Sequence, residues 1–455
     1  MCRLTSFDYI NQLEATLVQI IAERDSALAR IQEIEQENEQ LKKRLSLYEN
    51  PHTPSSAKRF SKKKKCSAGT SPPKKRGAPK GHRGATRPTP IPDEVVEVVA
   101  PVCEQCGGCH IENLGTAQTS IIEDLPPPQK IKVTKFIKWN VACQDCGHTF
   151  VSKHPDCPQT GNFGVYFLVY TTMLKYHLRG VIRKIKDFLS YGHGFEISVK
   201  GIHDVLLRVG NVCSQEYEAK IARIRAAPWR YIDETSFKVN GKLWWLWIFR
   251  TNDGEVLVVI RKSRGGKVLD EILGPDHPGP HVVDGWGAYR RANILQRCWS
   301  HLVREVDSFK NVSQEGKRFS EAVHATYKTL KDFLDKDPPM DERKQQKQIF
   351  EKELRDLAER YSAFPELKKP LTYLKNGFGC WYTCLLYPGM GATNNLAEQA
   401  IREHVIMRKI IGCFRSENGA ANYQYIASLL ASWRLMGKNS FEELETLLRR
   451  ELCLS

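Results

Sequence analysis

Three carboxylates in this chain have the types and spacing needed to hold divalent cations. Asp233 stands in Tyr-Ile-Asp-Glu-Thr and Asp284 in Val-Val-Asp-Gly-Trp, each predicted at the carboxyl end of a strand. Neighbouring strand ends place such side chains together, and Glu398, in the first turns of a predicted helix, would complete the set. Hard oxygen ligands of this kind hold two cations ~3.5–4 Å apart for in-line displacement at phosphorus. One ion would activate water or a 3′ hydroxyl, and the other would stabilise the leaving oxygen.

Two further residues could assist that chemistry. Arg402 lies one helical turn after Glu398, where it could pair with that glutamate or contact a phosphate. His301 has two interpretations. It could contact the scissile phosphate or a transferred proton, or it could be a partly buried structural histidine at a helix start.

Four cysteines form two pairs, Cys103-x-x-Cys106 and Cys143-x-x-Cys146. Each pair fits one half of a tetrahedral thiolate site, and a strand predicted over Ile131–Val141 suits a zinc ribbon with structural Zn²⁺. Alternatively, the four cysteines are redox-active or have no shared role in metal binding. Nearby residues could replace one of the four ligands: Cys109, His110 and His148.

The composition indicates a polyanionic partner. Among 455 residues, Lys and Arg number 68 against 52 Asp and Glu, a formal net charge of +16. The longest dense apolar run, Leu243–Phe249, is far shorter than the ~20 residues that span a bilayer, and the amino terminus lacks a signal-peptide core. We therefore expect a cytoplasmic protein with reduced thiols and no membrane partner.

The first 50 residues carry a heptad repeat of apolar side chains. Positions a and d recur over about six heptads, and Pro51 ends the predicted helix. Asn38 at an a position favours a parallel dimer, since a buried amide is best satisfied by its twin. A lone amphipathic helix packed on the protein body is the alternative.

The next segment, residues 58–90, has twelve basic residues and no acidic one among Ser, Pro and Gly. Such a composition predicts disorder in the free protein. The stretch Lys75-Arg-Gly-Ala-Pro-Lys80 could lie along a DNA minor groove, or the whole segment could be a solvated linker. The basic residues are Lys58, Arg59, Lys62, Lys63, Lys64, Lys65, Lys74, Lys75, Arg76, Lys80, Arg83 and Arg87.

Residues 160–227 are predicted as helices. One covers Val181–Leu189, a turn follows at Tyr191–Gly194, and Ser198 caps a second helix over Val199–Val209. The second helix carries three basic side chains, Lys200, His203 and Arg208. This pattern predicts a helix-turn-helix, although simple helix packing explains it equally well.

Strand patterns begin at Trp229. Leu243–Arg250 and Glu255–Ile260 flank the hairpin signal Asn252-Asp-Gly254, Gly265-Gly266 opens a helix, and His281–Val283 is a short apolar strand. Strand, hairpin, helix and strand in this order are typical of an RNase H-like sheet. A long charged helical stretch from Arg304 to about Leu374 then interrupts it.

These residues resemble the insertion-sequence-66 transposases, a DDE-type family, over nearly the whole chain. The most specific matches are Asp233-Glu-Thr235, Asp284-Gly285 with Tyr289, Cys298-Trp-Ser-His301, and Asn394-Asn395 with Glu398 and Arg402. The resemblance implies that Asp233, Asp284 and Glu398 form a catalytic triad using Mg²⁺ or Mn²⁺. It also implies double-stranded DNA as substrate, at element ends and target, with nucleoid association in a prokaryotic cell.

The expected fold is a multidomain α/β protein. It comprises a coiled coil (1–50), a basic linker (51–92), a zinc ribbon (93–158), a helix-turn-helix-like domain (159–227), an RNase H-like catalytic domain (228–437) with a helical insertion at about 305–375, and a C-terminal helix (438–455). We expect a homo-oligomer, at least a dimer, with small companion proteins as candidate partners. The competing hypotheses are a catalytically degenerate DNA-binding regulator and an RNase H-like repair nuclease. The latter would not need a dimerising coil or a basic arm.

Overall fold

A computed structural model describes residues 6–48, 90–98, 100–112, 119–125 and 127–454. The predicted basic segment 58–90 lies outside these ranges except for Pro90. Helix α1 spans Ser6–Tyr48, so the predicted N-terminal helix is confirmed. Its apolar side chains between Leu17 and Leu41 face solvent in the single chain.

The cysteine-bearing segment contains one small hairpin. Strand β1 (Asn140–Ala142) pairs antiparallel with β2 (Thr149–Val151). The strand predicted over Ile131–Val141 is therefore wrong except at its end. Val133 and Ile137 are strongly exposed, and among the described residues no strand pairs with this stretch. Apolar alternation without a hydrogen-bonding neighbour does not make a strand.

Three helices follow, as predicted for residues 160–227. They are α2 (Val165–Tyr176), α3 (Ile182–His193) and α4 (Val199–Ala226). Ser198 caps α4 by accepting the Gly201 N–H at 2.9 Å, which confirms the predicted cap. The turn predicted from Tyr191 is wrong, because α3 runs on to His193. It ends at Gly194, whose φ of 61° is the left-handed conformation that glycine adopts without strain.

A five-stranded mixed sheet forms the centre of the chain. Its order is β5-β4-β3-β6-β7, with β3, β4 and β5 antiparallel and with β6 and β7 parallel to β3. The predicted hairpin at Asn252-Asp-Gly254 is confirmed, and helix α5 begins after Gly266 as expected. The bounds are β3 (Arg230–Val239), β4 (Lys242–Arg250), β5 (Val256–Arg261), α5 (Lys267–Leu273), β6 (His281–Val283) and β7 (Leu295–Arg297).

Helices make up most of the remaining chain. Those between β7 and residue 375 pack on each other in an apolar cluster that also includes Tyr231 and Val282 of the sheet. No helix in the described part of the chain is long and apolar enough to cross a membrane. The bounds are α6 (Trp299–Asp307), α7 (Gln314–Leu334), α8 (Met340–Arg360), α9 (Lys368–Lys375), α10 (Asn395–Ile411), α11 (Glu417–Leu435) and α12 (Ser440–Arg449), followed by a π-helical turn at Arg450–Leu454.

Helix α11 covers the edge strand β5. Three side chains at helical spacing accept the outward N–H groups of that strand. Gln424 accepts from Ile260 at 3.1 Å, Ser428 from Val258 at 2.8 Å and Ser432 from Val256 at 2.9 Å. An edge strand with unpaired N–H groups would be open to association with another chain. The helix therefore covers this edge of the sheet, whereas the acidic residues lie on the inner strand β3 and after the inner strand β6.

Candidate active site

Asp233 and Asp284 lie side by side by strand register. The parallel pairing of β3 with β6 joins Arg230 to His281 and Tyr231 to Val282, and the same register brings Asp233 opposite Asp284. Asp284 follows β6 directly, as predicted. The prediction that Asp233 ends its own strand is wrong, because β3 continues to Val239 along its antiparallel partner β4. What ends beside Asp233 is the neighbouring strand β6.

Asn394 fixes the start of α10 against these strands. Its side-chain amide donates to the carbonyl of Ile232, next to Asp233, at 2.7 Å, and its backbone N–H donates to Cys298 Sγ at 3.1 Å. Ile232 precedes the predicted ligand Asp233, and Cys298 precedes helix α6. The Asn394 side chain is fully buried. Glu398, one turn along α10, lies near enough to the aspartates for their charges to act on one another. Among the described residues, however, Asp233, Asp284 and Glu398 do not form a group whose oxygen atoms all lie within 4.8 Å of each other.

The carboxylates affect one another electrostatically. Burial raises the pKa of Asp233 well above its usual value, and the negative charges of Glu234, Asp284 and Glu398 raise it further. Burial also raises the pKa of Glu398, with Asp284 adding to the effect and the Arg304 guanidinium opposing it. Neighbouring acids with raised pKa values, as for Asp233 and Glu398, are typical of a functional site.

His301 and Arg304, one turn apart on α6, face Glu398. His301 Nδ1 lies 3.6 Å from one carboxylate oxygen and Arg304 Nη2 lies 3.9 Å from the other. The predicted candidate His301 is buried and lies beside Glu398, one of the three predicted carboxylates. Arg402 is exposed on α10, and it lowers the pKa of Glu398 less than Arg304 does. The cation nearest to Glu398 is therefore Arg304, which sequence reasoning did not single out.

Glu234 is a fourth buried acid that the sequence pattern did not place in the site. Arg264 donates to its carboxylate through Nε at 2.9 Å and Nη2 at 2.8 Å, and the Tyr289 hydroxyl donates to its other oxygen. Burial and the charge of Asp284 raise the pKa of Glu234 to about 7, against the lowering effects of Arg264 and Tyr289. Its position next to Asp233 was the available signal, but nothing in the sequence paired it with Arg264, thirty residues away.

The two C-x-x-C pairs form matching turns. In each turn a glycine at positive φ, Gly107 or Gly147, follows the second cysteine. Backbone N–H groups two and three residues ahead hydrogen-bond to the first sulfur and lower the pKa of Cys103 and Cys143. The four predicted zinc ligands are not all drawn together, since the described residues contain no group in which three of these sulfurs approach within 4.8 Å.

The predicted DNA-reading side chains on α4 differ in their surroundings. Lys200 is exposed and pairs with Asp204 at 2.5 Å, and His203 is half-exposed. Arg208 instead donates to the carbonyl of Thr160 at 2.5 Å. Two of the three side chains are thus on the surface, and the third helps to fix the chain that enters α2.

Comparison with protein-family models identifies a match. A family model described as the IS66 transposase family matches residues 160–422, more than half of the chain. No curated protein matches the chain. The matched range contains Asp233, Asp284, Glu398 and His301, and it begins after the paired cysteines.

Proposed function

The chain belongs to the IS66 transposase family, and we propose that it cuts DNA at the ends of its own mobile element and joins the freed 3′ ends to target DNA. The observation that carries this proposal is the β3–β6 register that sets Asp233 beside Asp284, with Glu398 on α10 near enough for its charge to act on Asp233. The sheet order, an antiparallel meander with two strands added parallel to its first strand, supports an RNase H-like DDE domain.

The donor set fits Mg²⁺ or Mn²⁺. Asp233, Asp284 and Glu398 offer oxygen ligands, which these hard cations prefer. The mutual repulsion that raises the pKa of Asp233 would be relieved by divalent positive charge. Bound there, such ions would activate the attacking hydroxyl and stabilise the leaving oxygen.

The protein's own side chains would position the substrate and the carboxylates. Asn394 holds the start of α10 on β3, so Glu398 keeps its place relative to Asp233. Arg304 and Arg402 are exposed cations on either side of Glu398 and would draw the DNA phosphates toward it. His301 faces Glu398 at 3.6 Å, where it would orient that carboxylate or take part in proton transfer.

Other parts of the chain would supply DNA affinity and assembly. The basic segment within 51–92, a zinc-bound ribbon and the exposed Lys200 and His203 would contact the phosphate backbone. Twelve cations in the segment, half of them paired with phosphates, would give a log-log salt slope of roughly −5. Deleting residues 51–92 should flatten the measured slope, and an unchanged slope would mean that the segment is only a spacer.

The decisive experiment measures strand cleavage and joining on a labelled duplex that carries the terminal repeat of the element. Full-length protein is compared with the variants Asp233→Asn, Asp284→Asn and Glu398→Gln in Mg²⁺. Each should lose about a thousandfold or more in rate, and double variants should lose little further, because the three carboxylates act as one unit. DNA binding, measured by gel shift, should persist.

Asp276→Asn serves as the matched control, since Asp276 is exposed in the loop before β6. It should cleave like the unaltered protein. A folded Glu398→Gln protein with full activity would remove Glu398 from the triad. An unaltered protein that binds the ends but never cuts them would favour the DNA-binding regulator instead.

A further inference from the structure

The sequence Cys298-Trp-Ser-His301 brings a thiol and an imidazole to Glu398. Cys298 is the N-cap residue of α6, and His301 lies in the first turn of that helix. One ligand atom from each of Cys298, His301 and Glu398 lies within 4.8 Å of the other two, the one such group in the described ranges. Helices α6 and α10 are far apart in sequence. Together they place a soft sulfur donor, a borderline imidazole nitrogen and a hard carboxylate oxygen next to one another.

Backbone N–H groups surround the Cys298 sulfur. Asn394 donates to Sγ at 3.1 Å, and the N–H groups of Ser300 and His301, two and three residues ahead, also face it. The sulfur atoms of Cys103 and Cys143 have N–H neighbours at the same two offsets. Burial raises the pKa of the Cys298 thiol to about 11, while the N–H groups directed at the sulfur oppose that shift and favour the thiolate that a bound metal would require. Cys298-x-x-His301 is therefore built like one half of a metal-binding turn.

From this geometry we propose that Cys298, His301 and Glu398 bind one Zn²⁺ or a similar borderline transition-metal ion. A thiolate, an imidazole and a carboxylate are a zinc ligand set, and three protein ligands leave one tetrahedral position for water. Mg²⁺ prefers oxygen ligands and does not bind thiolate. The Cys298 sulfur therefore gives this site a different metal preference from that of a site with oxygen ligands alone. Binding displaces the proton of the buried Cys298 thiol into solvent.

The site shares Glu398 with the proposed triad, so the two metal sites exclude each other. An ion held by Cys298 and His301 draws that carboxylate away from Asp233 and Asp284. Given the proposed function, micromolar Zn²⁺ should inhibit Mg²⁺-dependent cleavage. The metal site itself depends only on the three ligands and can be tested without DNA.

The test uses Co²⁺ as the probe, because a thiolate ligand gives Co²⁺ a strong near-ultraviolet charge-transfer absorption. Full-length protein is titrated beside Cys298→Ser and the matched control Cys384→Ser, which replaces another fully buried cysteine. Cys298→Ser should bind one ion fewer per chain and lose the absorption of one thiolate. Cys384→Ser should match the unaltered protein.

A second variant covers the case in which Cys298→Ser fails to fold. His301→Gln keeps the buried thiol and should weaken cobalt binding at this site by at least about tenfold, as losses of metal-site groups do. Equal cobalt binding and absorption in all four proteins would overturn the proposal. In the cleavage assay, the Zn²⁺ concentration for half-inhibition should rise at least about tenfold in Cys298→Ser. A protein inactive on DNA would refute the transposase proposal and leave the cobalt result standing.

Discussion

At the scale of single residues, adjacent acids on β3 have different partners. Side chains alternate across a strand, so Asp233 and Glu234 point to opposite faces of the sheet. Asp233 joins Asp284 and Glu398, whereas Glu234 is held by Arg264 and Tyr289. Arg264 also lies over the Trp286 ring at 3.9 Å and the Trp245 ring at 4.6 Å. Glu234 thus holds Arg264 and Tyr289 next to the candidate site and is separate from the three predicted ligands.

Removing the cation from this pair should destabilise the fold. Arg264→Met leaves the Glu234 carboxylate buried without its main partner, and we expect a loss of about 2–3 kcal/mol in the free energy of unfolding. The double variant Arg264→Met/Glu234→Gln should lose less than the sum of the single losses. Urea denaturation measures all three. Strictly additive losses would show that the pair is not coupled.

Acid should destabilise the protein through His404. This buried histidine shares a hydrogen bond of 2.8 Å between its Nδ1 and the Tyr423 hydroxyl, and burial lowers its pKa from 6.5 to about 4. Between those values the unfolded chain binds the proton and the native state does not, so stability falls as pH falls. The difference corresponds to about 3 kcal/mol.

The measurement compares urea unfolding at pH 7 and pH 4.5 for the unaltered protein and His404→Gln. The variant should lose less stability on acidification. Its pH dependence should not vanish, because burial also lowers the pKa of His281 to about 3. Identical pH dependence in both proteins would contradict the assignment to His404.

At the scale of elements, the sequence predicted those units whose pattern is local. The hairpin strands, the Ser198 cap and the helix after Gly266 depend on neighbouring residues and were predicted correctly. The strand over Ile131–Val141 failed because strand formation requires a partner that the pattern alone cannot supply. The contacts of Asn394, which the sequence singled out only by resemblance, could not be predicted for the same reason, since they are to Ile232 and Cys298 on other elements.

The paired cysteine turns carry a prediction about metal content. Because each turn already directs N–H groups at Cys103 or Cys143, we expect these with Cys106 and Cys146 to hold one structural Zn²⁺. Cys143→Ser should lose that ion, as measured by elemental analysis, and should expose residues 93–158 to protease. The circular dichroism should change little, since this segment contains only two three-residue strands among its described residues.

Cys413→Ser is the matched control, because Cys413 is half-buried and lies after α10. It should keep the zinc. Natively purified protein that contains no zinc would refute the ribbon.

At the scale of the whole molecule, the order of the units could be predicted because each has its own composition. The hydrogen bonds between segments that lie far apart in sequence could not be predicted in this way. Residues 391–396 bond to three separated places: Tyr231 and Ile232 on β3, Cys298 and Trp299 at the start of α6, and Arg250 at the end of β4. These contacts hold the start of α10 against β3, β4 and α6, and they set the position of Glu398.

An apolar stripe along α1, its seam, is exposed in the single chain. Leu17, Ile20, Ile31, Ile34 and Leu41 are each about half-exposed, between 45% and 58%, along one helix of 43 residues. A second copy of this helix would bury the seam at roughly 25 cal/mol per Å². Full-length protein should therefore sediment as a dimer at micromolar concentration, and deleting residues 1–50 should shift it toward a monomer.

A substitution at Asn38 tests whether this residue sets the number of helices that associate. Its side-chain amide donates to the Ile34 carbonyl at 3.0 Å in the single helix and is exposed there, so it is available to a twin across an a-position seam. Asn38→Leu should strengthen association while loosening the choice of oligomer, giving dimers mixed with larger species in analytical ultracentrifugation. Gln36→Leu places the same side chain two residues away, on the outer face, and should leave a single dimeric species. A full-length protein that stays monomeric without DNA would exclude the coiled coil, and a purely dimeric Asn38→Leu protein would exclude Asn38 as the residue that sets its order.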